Sequence, residues 1–422
     1  MKGIYYLFKK IRDILVNREF LKLWIGLTQS RLGTLVNLVA LSLYVYQRTH
    51  SGFAVGKLEI ATALPSVIVG FLAGSVVDRF NKKWVMISSD VIRALLFLVM
   101  GFVTNIPPIY VIIFFASLVS LFFAPAYSAV IPQIMDKDHL METNSLSQMS
   151  QQIVRIVGPG LAGVMFMKLG FKFICIFNSV TYVISAFIIL LVNLPSVSKE
   201  KKRWSNLKAP LLDIVEGVKY VKNDRLIASI VVISGGLQLG AGAINVLMVM
   251  FVKEVLRGSD AIYGMLISVV ALGSLLGTFT TWFRGKLSED TVIKYSLLAL
   301  GFSILSASLS SNVSLALSFF AVVGISQTIL NISISTLLQQ HVPQEVMGRT
   351  FAGMDILTQV CLLISMGVGS MFADIIGVRM IYILGSAVAL ITALGAFKFL
   401  SLPESIQVVA ETEPETAETP RI

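Results

Sequence analysis

The sequence has few charged residues, few cysteines and few histidines. Asp, Glu, Lys and Arg make up only 14% of its 422 residues, about half of the usual share in a soluble domain. The two cysteines, Cys175 and Cys361, fall inside apolar runs, which favours neither a disulfide nor a reactive thiol. Metal-ligand spacing, a phosphate-binding glycine loop, a nucleophile elbow and paired carboxylates are also missing. These absences argue against an enzyme and predict no cofactor and no metal.

Long apolar runs are abundant instead. Apolar residues make up 55% of the chain, and its mean hydropathy is +0.82. A helix needs about 20 residues to cross a bilayer, and the hydrocarbon leaves backbone groups unpaired outside helices or closed barrels. We therefore predict an all-α integral membrane protein with about twelve transmembrane helices. They lie near residues 20-47, 54-79, 84-104, 107-131, 140-168, 171-194, 226-253, 260-283, 291-310, 313-339, 347-374 and 378-400.

The lysines and arginines are concentrated in the segments on one side of the predicted helices. Residues 1-22 carry six, the turn at 79-83 carries three and residues 195-225 carry eight. Because positive loops stay in the cytoplasm, we expect a multi-pass membrane protein with both termini in the cytoplasm. The net charge of +10 then reflects topology and contact with membrane lipids, and we expect no nucleic-acid partner.

Short segments recur half a chain apart. Ser51 to Leu58 matches Ser259 to Leu266 at an offset of 208 residues, and Ile131-Pro132-Gln133 matches Val342-Pro343-Gln344 at an offset of 211. Such repetition indicates a duplication of about six helices. The predicted organisation is an interfacial helix over 1-19 that is not a cleaved signal, a six-helix bundle over 20-194, a cytoplasmic linker with an amphipathic helix over 195-225, a second bundle over 226-400 and a disordered tail over 401-422.

One turn carries a family resemblance. Gly74 to Lys83 reads G-x-x-x-D-R-x-x-K-K and resembles the loop between helices 2 and 3 of the major facilitator superfamily. Asn81 stands where the family has a second glycine, and we expect it to keep the tight turn in a left-handed conformation. Further segments resemble the drug:proton antiporter branch that contains bacterial macrolide and enterobactin exporters. They are Asn17 to Gly26, Ser89 to Leu96, Pro343 to Phe351 and Phe372 to Val378.

The resemblance implies a gate at this turn. Asp78 would face the start of helix 11, where free N–H groups and the helix dipole favour a carboxylate. Gly74 would allow close approach, and Arg79 and Lys82 would add charge contacts that close the cytoplasmic side. The alternative is a positive loop with a capping acid. Gly348 and Arg349, at the start of helix 11, belong to the same predicted gate.

A glycine-rich stretch on helix 5 resembles the end of the antiporter motif. Gly158, Pro159 and Gly163 permit a kink and close helix contact, although the earlier glycines of the full motif are missing. The alternative to a role in gating is close packing alone.

Buried charges supply the candidates for proton coupling, because charge inside a bilayer is costly. Glu59 on helix 2 has no oppositely charged residue at helical spacing, while Asp90 and Arg93 on helix 3 are spaced for a local ion pair. Members of the resembled branch carry an acid directly after the glycine that corresponds to Gly33, and here Thr34 stands there. Coupling would therefore rest on Glu59 or on Asp90 with Arg93. The alternatives are a Glu59 side chain exposed at the outer rim and an Asp90–Arg93 ion pair with a structural role alone.

Polar residues at membrane depth predict a substrate cavity. In the first half the candidates are Arg31, Gln148, Gln152 and Arg155, and in the second half Gln238, Asn245, Gln327 and Asn331. The cavity would be cationic on one wall and neutral on the other, which favours an anionic or amphiphilic substrate. The alternative for the neutral set is hydrogen bonding between helices.

The resemblance implies secondary active transport across the bacterial cytoplasmic (inner) membrane, with protons as the coupling ion. The protein would export a small amphiphilic compound, such as a macrolide or another drug or a siderophore, by alternating access, and the transporter would be a monomer. Two alternatives stay open at this point: a lipid or lysolipid flippase, and a membrane scaffold that has lost coupling.

Overall fold

The structure is a computed structural model that describes residues 16–136, 139–193, 224–283 and 288–400. The regular structure of these residues is helical, as predicted. Residues 1–15 of the predicted interfacial helix, most of the predicted linker, residues 137–138 and 284–287, and the predicted tail lie outside the described residues. The helices are α1 (Arg18–Thr49), α2 (Gly52–Val77), α3 (Lys82–Met100), α4 (Ile106–Ile134), α5 (Leu140–Leu190), α6 (Arg225–Val246), α7 (Met248–Met250), α8 (Asp260–Phe283), α9 (Glu289–Leu309), α10 (Val313–His341), α11 (Gln344–Ile376) and α12 (Val378–Phe399).

The number of membrane crossings agrees with the sequence prediction. The backbone of α5 is interrupted at Gly170, whose φ of 77° and ψ of 172° are non-helical and suit only glycine. It therefore forms two crossings. Within the described residues, nine helices are long and apolar enough to span a membrane. The other two long helices, α1 and α3, carry more polar and charged residues, but their 32 and 19 residues also have membrane-spanning length.

The predicted span over 226-253 is not one unbroken α-helix. Helix α6 ends at Val246, and a π-helical turn over Phe251–Val255 follows the short α7. Aromatic packing holds the π-helical turn in place, because the Phe251 ring stacks on the Tyr382 ring with centroids 4.4 Å apart. The π-helical turn contains Lys253 and Glu254, and both side chains take part in the contact between the two halves.

Among the described residues, the buried core joins the two halves of the chain at one end only. We call α1 to α5 the first half and α6 to α12 the second half. One cluster of buried apolar residues contains members of both halves, such as Val36, Tyr182, Phe251 and Tyr382. Two smaller clusters are each confined to one half. The end shared by both halves, near helix junctions 50, 257 and 377, is here called the sealed end, and the opposite end, near junctions 80, 136 and 342, the open end.

Candidate functional site

A carboxylate crosses between the halves at the sealed end. Asp374, in the last turn of α11, accepts hydrogen bonds from Ser51 Oγ at 2.5 Å, from the Gly52 N–H at 2.6 Å and from the Phe53 N–H at 3.3 Å. The first N–H groups of a helix have no partner within the helix and carry its positive dipole end. Asp374 therefore caps α2 from the other half. In the sequence, Asp374 stands out only as part of a segment that resembles the antiporter branch.

Helix α1 makes a second set of contacts across the sealed end. Tyr46 donates its hydroxyl to Glu254 Oε1 at 2.7 Å, and the Gln47 amide donates to Asp260 Oδ2 at 3.3 Å. Asp260 also accepts from Lys253 Nζ at 2.5 Å. The π-helical turn and the start of α8 are thereby tied to α1. No local sequence pattern links these residues, since more than 200 positions separate them along the chain.

Glycines bring α5 and α8 into close contact at the same end. A Cβ added at Gly163 would lie 2.5 Å from the Asp260 carbonyl oxygen, and one at Gly264 would collide with the carbonyl of Pro159. The Gly160 N–H donates to Ser268 Oγ at 3.1 Å. The predicted glycine-rich stretch thus packs against the other half. Gly158 instead faces Leu35 of its own half, and a directional role for the stretch stays a prediction.

At the open end, neither Gly74 nor Gly348 makes a close contact with the other half. A Cβ added at Gly74 or at Gly348 would have no heavy atom within 4 Å. Asp78 is exposed, and its carbonyl accepts from Lys82 Nζ at 2.9 Å. Arg79 lies in the same turn, while the Arg349 side chain is outside the described structure. The close approach that the resemblance implies at Gly74 and Gly348 is therefore absent from this conformation, and the gating roles of Asp78, Arg79, Lys82 and Arg349 stay predictions.

Asn81 keeps the turn by a different means from the one expected. Its φ is −67°, so it is not left-handed. It is the N-cap of α3, and its side-chain oxygen accepts the Lys83 N–H at 3.0 Å. An extended asparagine suits this position because its side chain satisfies a free N–H of the first turn.

A cavity of about 450 Å³ lies within the first half. It brings together three predicted residues, Arg31, Gln148 and Arg155, from α1 and α5. Gln151 lines the cavity and Gln152 does not, which corrects the prediction for this face of α5. Further polar residues that were not predicted for the site also line the cavity, namely Ser30, Thr34, Ser120, Tyr127, Ser128, Asn144 and Ser147.

The neutral residues predicted for the second wall are not part of this lining. The described lining comes from α1, α3, α4 and α5 alone. Asn245, Gln327 and Asn331 are exposed and Gln238 is half-buried. These four residues therefore do not line the cavity in this conformation.

The predicted ion pair on α3 is formed and buried. Arg93 Nη2 lies 2.5 Å from Asp90 Oδ1, and Asp90 is 0% exposed. Arg93 also donates to Tyr182 Oη at 3.2 Å and covers the Tyr182 ring at 4.3 Å. The Tyr182 hydroxyl in turn bonds Thr34 Oγ1 at 2.6 Å. Thr34, at the position where the resembled branch has an acid, is thus linked to Asp90 through Arg93 and Tyr182.

Glu59 lies apart from the cavity, in the contact between the halves. Its Oε1 accepts from Ser42 Oγ of α1 at 3.2 Å. Its carboxylate is also within electrostatic reach of the Tyr263 hydroxyl of α8. The candidate coupling groups are therefore in two places, with Glu59 at the sealed end and the Asp90–Arg93 pair beside the cavity.

Comparisons with known proteins agree with this architecture. The chain is 30% identical over 228 residues to the uncharacterized MFS-type transporter YkuC of Bacillus subtilis (strain 168), a match that spans 52% of this chain and 53% of that protein. It is 21% identical over 385 residues to macrolide efflux protein A of Streptococcus pyogenes, covering 89% and 94% of the two chains. The crystal structure of a mutant of the nucleoside transporter NupG superposes with a TM-score of 0.77 at 15% identity, over 91% of this chain and all of that one.

The family model described as transmembrane secretion effector matches residues 14–419. The match covers the cavity, the sealed end and the predicted gate. The family and the relatives are transporters and not enzymes, as the sequence predicts. The chain belongs to the transmembrane secretion effector family of major facilitator transporters.

Proposed function

We propose that the protein is a proton-coupled exporter of small amphiphilic compounds that works by alternating access as a monomer. The observation that carries the proposal is the seal between Asp374 and the start of α2 at one end, together with a polar cavity inside the first half. A closed end and an interior cavity are what alternating access requires of one of its two states.

The positive charge of the loops supports an inward-open assignment of this state. The turn that carries Arg79, Lys82 and Lys83 is at the open end, and positive loops stay in the cytoplasm. The cavity would then load from the cytoplasm of a bacterial cell and release its content on the outer side. A scaffold without transport has no use for a cavity lined by arginines, since such charges are costly at membrane depth.

Two carboxylates would hold the halves together in turn, Asp374 in the inward-open state and Asp78 in the outward-open state. In the state described, Asp374 at the end of α11 caps α2. In the outward-open state, Asp78 at the end of α2 would cap the start of α11, and Gly74 and Gly348 would let the two helices approach. Arg79, Lys82 and Arg349 would add charge contacts there. Helices α2 and α11 would thus carry one latch at each end.

Proton coupling would act at Glu59 and at the Asp90–Arg93 pair. Glu59 bonds Ser42 and faces Tyr263 of the other half, so opening of the sealed end would expose it to outer water. A proton taken up there removes a charge that is costly to bury again on closure. A hydrogen-bonded network connects Asp90 to Thr34 through Arg93 and Tyr182. A proton that binds Asp90 beside the cavity would weaken the ion pair between Asp90 and Arg93.

The test is transport into proteoliposomes under an imposed pH gradient. The probes are erythromycin, a cationic amphiphile chosen because a relative is named for macrolide efflux, and the anionic 1-naphthylacetate. The proteoliposomes should accumulate at least one of the two only with the gradient, and Glu59→Gln should abolish that dependence. Asp136→Asn, in an exposed open-end junction, is the matched control. Gradient-dependent transport that survives Glu59→Gln would remove Glu59 from coupling. If neither erythromycin nor 1-naphthylacetate is transported at all, the export function is contradicted.

A further inference from the structure

The cavity of the first half holds two positive charges without a negative partner. Arg31 and Arg155 line it from α1 and α5 and are close enough to interact electrostatically with each other. The described lining contains no Asp or Glu, and no described acid forms an ion pair with either arginine. The third lining arginine, Arg93, is neutralised by Asp90 at 2.5 Å.

Such an arrangement is costly unless something balances it. A guanidinium at membrane depth costs several kcal/mol without a counterion or water, and a second one nearby adds repulsion. Arg93 shows how this chain neutralises a permanent positive charge, since Asp90 lies one helical turn away. Within the described residues, Arg31 and Arg155 have no such acid. An anionic compound that enters the cavity would supply the missing negative charge.

We propose that the cavity binds the acidic head group of an amphiphile, a carboxylate or a phosphate, between Arg31 and Arg155. The inference rests on the proposed exporter function and names its substrate class. The planar guanidinium donates two parallel hydrogen bonds to such groups, which makes arginine better suited than lysine to hold them. Tyr127, within electrostatic reach of Arg31, and the amides of Gln148 and Gln151 supply further donors.

The remaining wall suits an apolar body attached to that head group. Leu27, Leu35, Leu38, Phe123 and Val154 line the same cavity. Its volume of about 450 Å³ is within the range of small-molecule sites, which are mostly apolar with a few placed polar groups. The site therefore favours an acid with an aromatic or acyl body, and disfavours a cation of the same shape.

A negatively charged substrate explains how the transporter could work with a threonine at position 34, where the resembled branch has an acid. An inside-negative membrane potential drives an anion outward by a factor of about fifty for each charge and each 100 mV. A cationic cargo is held back by the same factor and needs a proton for each turnover. A chain with Thr34 in place of the acid can still export an anion against a gradient.

Equilibrium binding to the protein in nanodiscs tests the proposal, with empty nanodiscs as the baseline. The probes are 1-naphthylacetate, the neutral 1-naphthylacetamide and the cationic 1-naphthylmethylamine, which share one apolar body. We expect the acid to bind at least about tenfold more tightly than the other two. Arg31→Gln and Arg155→Gln should each weaken acid binding by about ten- to a hundredfold and leave amide binding unchanged.

Two further variants separate charge recognition from damage to the fold. Arg379→Gln removes an arginine that donates to Ser311 at the sealed end and should leave acid binding unchanged. Arg31→Lys keeps the charge but loses the planar fork, so it should retain part of the preference for the acid. A lysine variant that binds as weakly as Arg31→Gln would show that planar geometry matters as much as charge, and would still support an anion site.

Competition identifies the source of the acid. A lysophosphatidate that displaces 1-naphthylacetate at concentrations below those needed by soluble acids indicates a lipid head group, and the reverse order indicates a soluble acid. Equal binding of the acid, the amide and the amine, or a preference that survives both Gln variants, overturns the proposal. Gradient-dependent transport of a neutral or cationic compound alongside that result would leave the exporter function intact.

Discussion

Asp374 Oδ1 accepts the N–H of Gly52 at 2.6 Å across the boundary between the two halves. The same carboxylate accepts from Ser51 Oγ and from the Phe53 N–H, so one ionised group satisfies three donors at the start of α2. A hydrogen bond to a charged group contributes about 1.5–3 kcal/mol. The Asp374 side chain thus supplies three of the hydrogen bonds between the halves at the sealed end.

Asp374→Asn should therefore shift the protein toward the state in which this end is open. Loss of the charge weakens the cap, and about 1.5–3 kcal/mol corresponds to about a ten- to hundredfold change in the ratio of the two states. Distances between spin labels on the ends of α2 and α11 measure the shift, with Asp136→Asn as the charge-matched control. Unchanged distance distributions would show that the apolar contacts alone hold the seal.

Gly264→Ala should open the same end by a steric route. The added Cβ collides with the Pro159 carbonyl of the other half, and a backbone atom cannot turn aside as a flexible side chain can. Gly395→Ala is the control, since a Cβ there meets nothing within 4 Å and alanine favours a helix by about 1 kcal/mol. We expect loss of transport and exposure of the seal for Gly264→Ala only. Normal transport by both variants would refute the close contact.

The sequence predicted the helices and the polar face of α5 better than the contacts between the halves. Apolar length determines where membrane helices lie, and Arg31, Gln148 and Arg155 were found because charged and polar groups stand out in apolar runs. Choosing Gln152 over Gln151 failed because both share a helical face with Gln148, and only packing against α1 and α4 decides between them. Asp374 was missed because its partners lie more than 300 positions away.

Asp224 makes the stability of the second half depend on pH. It caps α6 by accepting from the N–H groups of Leu226 and Ile227 at 2.9 and 3.0 Å, and it pairs with His341 Nε2 at 3.0 Å. Burial alone would raise the pKa of Asp224, but the Ile227 N–H and His341 outweigh it, so the pKa is below its usual value. A depressed folded pKa means that the stabilisation is present above the unfolded value of about 4 and is lost as pH falls through the folded value.

Asp224→Ala should accordingly lower the free energy of unfolding by about 0.5–2 kcal/mol at neutral pH, and the difference from the unchanged protein should shrink below about pH 4. Asp224→Asn keeps a good cap without a titrating group, so its stability relative to Asp224→Ala should stay constant over the same range. Thermal unfolding in nanodiscs between about pH 3 and pH 7 measures both. A constant gap between the unchanged protein and Asp224→Ala across this range would contradict the assignment.

The Asp90–Arg93 pair allows structure and coupling to be separated in one mutant cycle. Arg93→Gln leaves a fully buried carboxylate without its counterion, which should cost about 3–5 kcal/mol. The double variant Asp90→Asn with Arg93→Gln removes both charges and should recover most of that loss, because the amides can still bond each other and Tyr182. If the pair only holds the first half together, the double variant transports under a pH gradient as the unchanged protein does. If it also takes part in coupling, the double variant is stable but no longer responds to the gradient, and only this second result assigns Asp90 a role beyond packing.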